Sequence, residues 1–552
     1  MAYNETLRRD VRVKAQRGLE LRCKNWRAEA ILRMLENNLE NGEKPEELII
    51  YTGVAKAARS WEQFDLIVAA LKNLREDQTL VMQSGKPIAI FDTHERAPMV
   101  IMANGNVVGN YAEPEDIINL EEKGLTVVPG MTAAAWQYIG SQGIIQGTYQ
   151  SFIGAAEKFG GTLAGRTILT AGSGGMGGAQ PLAGKMAGAA TLVLDVQADR
   201  LQKRIDTGYL DVMVDDLDEA LRRMDTLVAN KEGGSVGLVG NVAEIYPKLL
   251  ERNWQPDIVT DQTITDPYRG YFPAGMTVEE TLKMRKENRA EIKKRAQESI
   301  IVHAKCMMEF EKRGAIVFEY GNGLRWQASE AGFKDALQME SFITLFIRPM
   351  FCEGMGPFRW VAISGDEADI HEVDDIVRET FSANHPIVDW INMAEKHIHF
   401  TGLPARIGWL GHTERTTLAL KVNEAVASGR LKGPIAFTRD HLDSGSVASP
   451  MRETERMKDG SSAIADWAFL NAMLNVSSGG DLIAVHGGQG GRRSQCAGVT
   501  TVADGSALAA KKIPAIMNGD TGIGVLRHAD AGYEKAIETK KKFGLGLRLD
   551  AN

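Results

Sequence analysis

The run 166–195, "RTILTAGSGGMGGAQPLAGKMAGAATLVLD", restricts the fold more than any other part of the chain. It holds Gly172-x-Gly174-x-x-Gly177, the glycine spacing of a dinucleotide-binding turn. Glycine is frequent here, 57 of 552 residues, so the spacing alone is weak and its surroundings decide. "RTILTAG" (166–172) reads as a short buried strand. "AQPLAGKMAGAA" (179–190) reads as a helix of small residues that can pack closely on a sheet. "TLVLD" (191–195) reads as a second strand ending in an acid. Asp195 lies 18 residues past Gly177, near the spacing of a ribose-binding carboxylate. Glycines let the backbone approach a pyrophosphate, and a helix N-terminus offers free N–H groups and positive potential. The alternative is a tight turn in an ordinary βαβ unit.

The rest of the chain is α/β on either side of this unit. "SWEQFDLIVAALKNLRE" (60–76) predicts an amphipathic helix with Ser60 and Gln63 as its capping box. "PIAIFDT" (87–93) and "PMVIMAN" (98–104) predict two strands paired with each other. "GSVGLVGN" (234–241) and "PDIVTDQ" (256–262) continue the buried-strand, polar-end pattern of a doubly wound sheet. "MTVEETLKMRKENRAEIKKRAQES" (276–299) predicts one long charged helix, capped by Thr277 and Glu280. The expected organisation is a Rossmann-like nucleotide-binding domain, 129–340, inserted into a larger α/β core domain formed by 1–128 and 341–552.

Composition excludes several classes. Hydrophobic content of 44% with 25% charged residues is that of a globular domain. No apolar run reaches the ~18 residues of a membrane span. The first residues carry no apolar core, so no secretory signal is expected. The four cysteines (Cys23, Cys306, Cys352, Cys496) form no CxxC pair, which suits a reducing cytoplasm. A net charge of −8 argues against general nucleic-acid affinity. His397 and His399 would share one strand face, but no third ligand follows at a convincing spacing, and no metal site is expected.

Polar residues concentrate in three glycine-broken runs of the C-terminal third. "RPMFCEGMGPFRW" (348–360) carries two arginines. "RDHLDSGSVASPMRETE" (439–455) carries Arg439, Asp440, His441, Asp443, Ser444 and Arg452. "VHGGQGGRRSQ" (485–495) is a second glycine loop, with Arg492 and Arg493. Arginine forks match a carboxylate or phosphate bidentately, and a neighbouring Asp or His can move a proton. Each arginine taken singly is as readily a structural ion pair. Three such loops together point to a small anionic substrate.

These motifs, with "YTGVAKAARSWEQFD" (51–65), "IGSQGIIQGTY" (139–149), "DPYRGYFPAG" (266–275) and "PARIGWLGHTER" (404–415), resemble the urocanase (urocanate hydratase) family over essentially the whole chain. The resemblance implies a hydro-lyase with tightly bound NAD+ acting as an electrophile, without net redox change, and a homodimer. It implies NAD+ contacts from Thr52, Gly53, Gly130, Gly175, Met176, Gly177, Asp195, Arg200, Asn241, Val242, Gln262, Thr263, Thr265, Tyr271, Phe272, Tyr320 and Gly491. Arg359 and Arg452 are the expected partners of the substrate carboxylate. Asp443 is the expected proton-transfer group, with Tyr51 and His441 beside it.

The departures from the family are as informative. Asp195 stands where the family usually has Glu. Gly408 takes the position of a cysteine that lines the family's site. Pro129 and Gly130 replace Gly and Gln, the 261–267 run is shorter and lacks a histidine, and Arg492 and Arg493 replace small or apolar residues. Nucleotide-facing motifs are thus kept better than pocket-facing ones. The expectation is a ring-modified urocanate as substrate (thiourocanate, S-methyl thiourocanate or an N-methyl urocanate), with Gly408, Arg492 and Arg493 making room for and meeting the substituent. The alternatives are an ordinary urocanate hydratase, an NAD-dependent oxidoreductase and an inactive NAD-binding protein.

Overall fold

The protein is described from a computed structural model, over residues 12–487 and 494–547. Its chain forms two compact units. A core unit takes the residues up to 143, 348–396 and those from 400 onward; an inserted unit takes 144–347 with 397–399. Both cuts fall later than the 128/129 and 340/341 read from the sequence.

Five strands open the core unit: β1 (Ile49–Tyr51), β2 (Ala55–Lys56), β3 (Gln78–Gln83), β4 (Lys86–Asp92) and β5 (Val100–Asn104). The helix Trp61–Asn73 between β2 and β3 starts where Ser60 accepts the Gln63 N–H at 3.2 Å. It buries Trp61, Phe64, Ile67 and Leu71, a three- and four-residue spacing that lays one apolar stripe on the core. β4 and β5 are not partners, against the sequence expectation. β3 lies between them, antiparallel to β4 and parallel to β5, because a short turn at Ser84 and Gly85 folds β4 back on β3.

The inserted unit follows with β6 (Thr167–Ala171), β7 (Ala190–Asp195), β8 (Val212–Val214), β9 (Gly234–Val239), β10 (Ile258–Val259) and β11 (Ile316–Val317). They form one parallel sheet in the order β11-β10-β6-β7-β9-β8. β6 and β7 are buried along their whole length, which is why they read as continuous apolar runs rather than alternating ones. β6 has β7 on one side and β10 on the other, so the sheet reverses winding there, and the crevice past its carboxyl end is where such sheets take ligands. The expected 276–299 helix is two helices, Val278–Glu287 and Arg289–Lys312. Asn288 leaves helical geometry (φ −145°, ψ 83°), and its side chain caps the second by accepting the Glu291 N–H at 3.1 Å. Thr277 and Glu280 do form the capping box.

The core unit resumes with β12 (Gly356–Ala362), β13 (Ala405–Leu410), β14 (Ile435–Arg439), β15 (Val447–Ala448), β16 (Leu482–Gly487) and β17 (Gln495–Ala503). Its sheet runs β13-β12-β14-β17-β16-β5-β3-β4, with β15 on β17. One face puts Met82, Val100, Met102, Leu482 and Ala484 into a core with Ile31, Leu35 and Leu39 of the helix Trp26–Glu40. The other puts Ile483, Ala497 and Val499 against Ala472 and Ile516. Arg359 shares its face with Thr438 and Thr500, its registered neighbours across β14 and β17. His397 ends the helix Pro386–His397 instead of sharing a strand face with His399.

Candidate active site

In the inserted unit, a cleft of about 390 Å³ lies past β6, β7 and β9 and is lined by Gly172, Asp195, Arg200, Asn241, Thr263, Tyr271 and Phe272, among others. The glycines of the turn are obligatory. A Cβ on Gly172, at φ +86°, would stand 2.4 Å from the Gln262 carbonyl oxygen, and one on Gly177 2.0 Å from the Gly172 carbonyl oxygen. Asp195, at the end of β7, accepts the Ser173 N–H at 2.7 Å and the Gln197 N–H at 2.9 Å. Its Oδ2 also lies 4.0 Å from Arg200 Nη1. Asn241 caps the helix Val242–Glu251 and donates to the Phe272 carbonyl at 2.9 Å. The backbone approach, the acid and the aromatic wall suit a dinucleotide.

Behind this cleft lies a buried polar cluster that the sequence did not reveal. Asp261 accepts from Thr263 at 2.7 Å and from Asn322. Its other oxygen is 3.5 Å from His303 Nε2, and His303 Nδ1 is 3.4 Å from the Tyr271 hydroxyl. Burial pushes the Asp261 carboxyl up to about 7 and the His303 imidazole down to about 3. Of the other expected cofactor residues here, Gln262 donates to the Tyr320 carbonyl at 2.6 Å and Thr265 to the Asn322 carbonyl at 2.7 Å. The Tyr320 ring stacks on Phe342 with centroids 4.3 Å apart.

In the core unit, Tyr51 ends β1, and Thr52 (φ +57°) and Gly53 (φ +71°) turn the chain sharply after it. The Tyr51 oxygen accepts the N–H of Met131 at 2.7 Å, of Thr132 at 2.9 Å and of Ala133 at 3.3 Å, and lies 3.2 Å from the Thr132 hydroxyl. Gly130 opens this turn at φ +57°, and any Cβ there would be 2.7 Å from the Tyr51 oxygen. Burial raises the phenol; the Thr132 and Met131 hydrogen bonds pull it back, and Asp440 raises it further.

Arg359, on β12, is ion-paired with Asp440, and its Nε and one terminal nitrogen donate to the Gly143 carbonyl at 3.0 and 2.7 Å. Its remaining nitrogen, Nη1, is buried with no hydrogen-bond partner among the described residues; so are Thr438 Oγ1 and both ring nitrogens of His441. A buried donor or acceptor left unmatched costs about 1–3 kcal/mol. Such a group of them marks a place prepared for a polar guest. His441 fits only because residue 498 is glycine: a Cβ there would stand 2.3 Å from the imidazole Cε1. Its ring faces that of His486 at 4.7 Å. Burial, and then the His486 neighbour, drive His441 well below its ordinary value.

Asp443 belongs to a buried square of charges. Arg415 donates to both of its oxygens, at 2.7 and 3.2 Å, and Arg439 holds Asp520 at 2.7 and 2.8 Å. Burial raises the Asp443 carboxyl, with Arg415 opposing; Asp520 ends lowered because Arg439 and Arg415 outweigh its burial. Arg452 is buried beside Glu453, Nε to Oε1 2.8 Å.

Gly408 corrects the sequence reading. It lies within β13, registered against Phe358, while Ile407 is registered against Arg359. Side chains alternate along a strand, so position 408 looks to the face opposite Arg359. The space is already filled: a Cβ would meet the Trp360 ring at 2.5 Å and Ile387 Cδ1 at 2.9 Å. Gly408 admits a tryptophan and leaves no opening for a substrate substituent. Gly491, Arg492 and Arg493 lie outside the described residues. The sequence reading passed over His486 and Asn104. The one signal available was a histidine at the end of an apolar strand, next to a glycine loop.

A nucleotide-type cleft in one unit and a buried cluster of tyrosine, histidine and arginine in the other define an enzyme of the α/β class, built for a small polar substrate. Comparison with known proteins fixes the family. Residues 13–137 match the urocanase N-terminal domain, 140–346 the urocanase Rossmann-like domain and 349–542 the urocanase C-terminal domain. The chain belongs to the urocanase family. It is 58% identical over 538 residues to an S-methyl thiourocanate hydratase of Variovorax sp. (strain JCM 16519 / RA8), covering 97% of this chain and 98% of that one.

Proposed function

We propose that this enzyme hydrates the imidazole ring of S-methyl thiourocanate, with NAD+ held in the inserted unit and no net redox change. The observation that carries this reading is the near-full-length identity to a hydratase of that substrate, together with the unmatched buried groups around Arg359 and His441. In this reading Asp195 accepts from a ribose of the cofactor, and Asn241, Thr263, Tyr271 and Phe272 flank it. Bound there, the cofactor supplies an electron sink for the imidazole ring. Arg359, with Arg452, orients the propenoate carboxylate; the free Nη1 of Arg359 is its available donor. His441, neutral because it is buried, offers one donor and one acceptor to the substrate. Tyr51 handles the proton. Asp443, its carboxyl raised by burial and held by Arg415, is the further proton-transfer candidate.

The test is a panel of urocanate, thiourocanate, S-methyl thiourocanate and N-methyl urocanates, read by loss of the conjugated ultraviolet band. S-methyl thiourocanate should give the highest kcat/KM; a preference for plain urocanate overturns the substrate assignment. Denatured pure protein should release NAD+, and turnover should produce no NADH.

We also infer a cytoplasmic homodimer. The helix Asp466–Ser478 exposes Phe469, Leu470, Met473 and Leu474, a contiguous apolar face of the kind that marks an association surface. All four cysteines are buried and unbridged, as suits a reducing compartment. No helix of the described residues is long and apolar enough to cross a membrane. Met473→Glu should shift the sedimenting species from dimer to monomer; an unchanged dimer removes this face from the interface.

A further inference from the structure

The hydrogen bonds around Tyr51 do not stop at residues 130–133. Gly130, which opens that turn, has its carbonyl oxygen 3.5 Å from His486 Nδ1. On the other edge of the ring, His486 Nε2 is 3.1 Å from Asn104 Nδ2. The orientation of Asn104 is fixed independently, because its Oδ1 accepts the Gly85 N–H at 3.0 Å. The amide nitrogen therefore faces the histidine and can only donate. His486 Nε2 must accept, which puts the ring proton on Nδ1, pointing at the Gly130 carbonyl. Two strand ends meet here: Asn104 ends β5, His486 lies near the end of the neighbouring β16, and the two residues are registered against each other. The other side of the imidazole packs on His441.

We propose that His486, with its tautomer set by Asn104, is a positioning residue that holds both Tyr51 and His441 in working geometry. It holds Tyr51 through Gly130: the carbonyl anchored at His486 fixes the turn whose Met131, Thr132 and Ala133 N–H groups converge on the phenolic oxygen. It holds His441 by ring contact. The three backbone N–H groups can only donate to Tyr51, so none of them takes its hydrogen. When that proton passes to the substrate, the electron pair stays on the phenolic oxygen, where the same N–H groups stabilise it; the water consumed in the hydration returns the proton. This is oxyanion stabilisation applied to the enzyme's own acid, and it works only if the turn is already in place. Gly130 belongs to this device, since a side chain at 130 would strike the phenol.

The inference rests on the hydratase reading, so its test has one arm that needs no substrate. Tyrosine is labelled with 13C at Cζ in the holoenzyme, and the Tyr51 signal is assigned by its loss in Tyr51→Phe. His486→Phe, which keeps a ring against His441, and Asn104→Leu, which frees the tautomer, are then titrated. Fewer donors to the phenolate should move the Tyr51 titration upward by about one pH unit. With S-methyl thiourocanate, His486→Phe should lose about 10- to 100-fold in kcat, with KM little changed. Added to Tyr51→Phe, it should cost much less than it does alone. An unmoved Tyr51 titration in both variants, or a loss fully additive to that of Tyr51→Phe, overturns the proposal. If His486→Phe does not fold, Asn104→Leu decides, because it leaves the imidazole in place. If the wild type turns over no urocanate of the panel, the hydratase reading fails while the titration still judges the positioning role.

Discussion

His486 in the core unit and His303 in the inserted unit are both fully buried, and burial depresses them to about 4 and about 3. Their neighbours differ. His303 faces Asp261 at 3.5 Å, a carboxyl that burial raises to about 7. His486 faces a neutral amide, a carbonyl and a second neutral imidazole, His441. The difference shows in proton counts. Between about pH 4 and 6.5 the unfolded Asp261–His303 pair carries one proton, on the histidine; folded, it also carries one, on the acid. Its net contribution to pH-dependent stability is near zero there. In the middle of that range unfolded His441 and His486 carry nearly two protons; folded, they carry almost none. An ionisable pair with a compensating partner is a structural solution. Two uncompensated imidazoles, one of them with both nitrogens unmatched, are tolerated where the site needs them.

The largest test of this contrast removes the group that the core-unit histidines serve. Tyr51→Phe should reduce kcat by about 10²- to 10⁴-fold, the range of a lost general acid or base, while NAD+ still co-purifies. Asp195→Ala in the inserted unit should do the reverse: its first effect is loss of bound NAD+, measured in the denatured extract. Tyr51→Phe retaining full kcat would remove the core-unit cluster from the chemistry.

A second test reads the proton counts directly. For a histidine depressed in the folded state, the unfolded chain binds more protons below about 6.5, so stability falls as pH drops toward the folded value. The slope is about 1.4 kcal/mol per pH unit for each such group. The wild type should therefore lose denaturation midpoint steadily from pH 6.5 to 4, with His528, depressed to about 3, adding to the loss. His486→Phe should flatten that dependence by one group's share. His303→Phe should flatten it by the same share, by adding an opposing group, and should act up to about pH 7 instead of 6.5. It leaves Asp261 raised and uncompensated, so the folded state holds the extra proton between about 3.8 and 7, and acidification stabilises through this site. A His303→Phe slope equal to that of the wild type would break the comparison.

What was legible in the sequence follows the same division. The inserted unit announced itself, because a strand, a glycine turn and an acid are consecutive in the chain and each is set by local geometry. Asp195, Asn241 and Tyr271 come to one cleft as expected. The core unit's cluster joins residues 51, 104, 130, 359, 441 and 486, far apart in the chain; register pairs 104 with 486, and tertiary contacts bring in the rest. The resemblance supplied Tyr51, Arg359 and His441, but nothing local could supply His486 or Asn104. The pairing of 87–93 with 98–104 failed for the same reason, since the intervening strand precedes both in the chain. The long 276–299 helix failed on a single residue, Asn288, whose capping side chain competes with the helix it interrupts.

Gly408→Cys gives the smallest expected effect and separates sequence expectation from structure most cleanly. As an opening in the pocket, the glycine should set substrate choice, and restoring the family's cysteine should shift preference toward plain urocanate. The structure puts the new Cβ against Trp360 and Ile387, on the face of β12 and β13 opposite Arg359. Trp360 is fully buried. The substitution is then overpacking, expected to cost about 1–3 kcal/mol of stability. A thermal denaturation midpoint measures that loss, and kcat/KM on S-methyl thiourocanate and urocanate measures preference. Stability should fall while the ratio of the two kcat/KM values holds. A ratio moving toward urocanate with the midpoint unchanged would return position 408 to the substrate pocket, and would mean that Trp360 leaves this place during turnover.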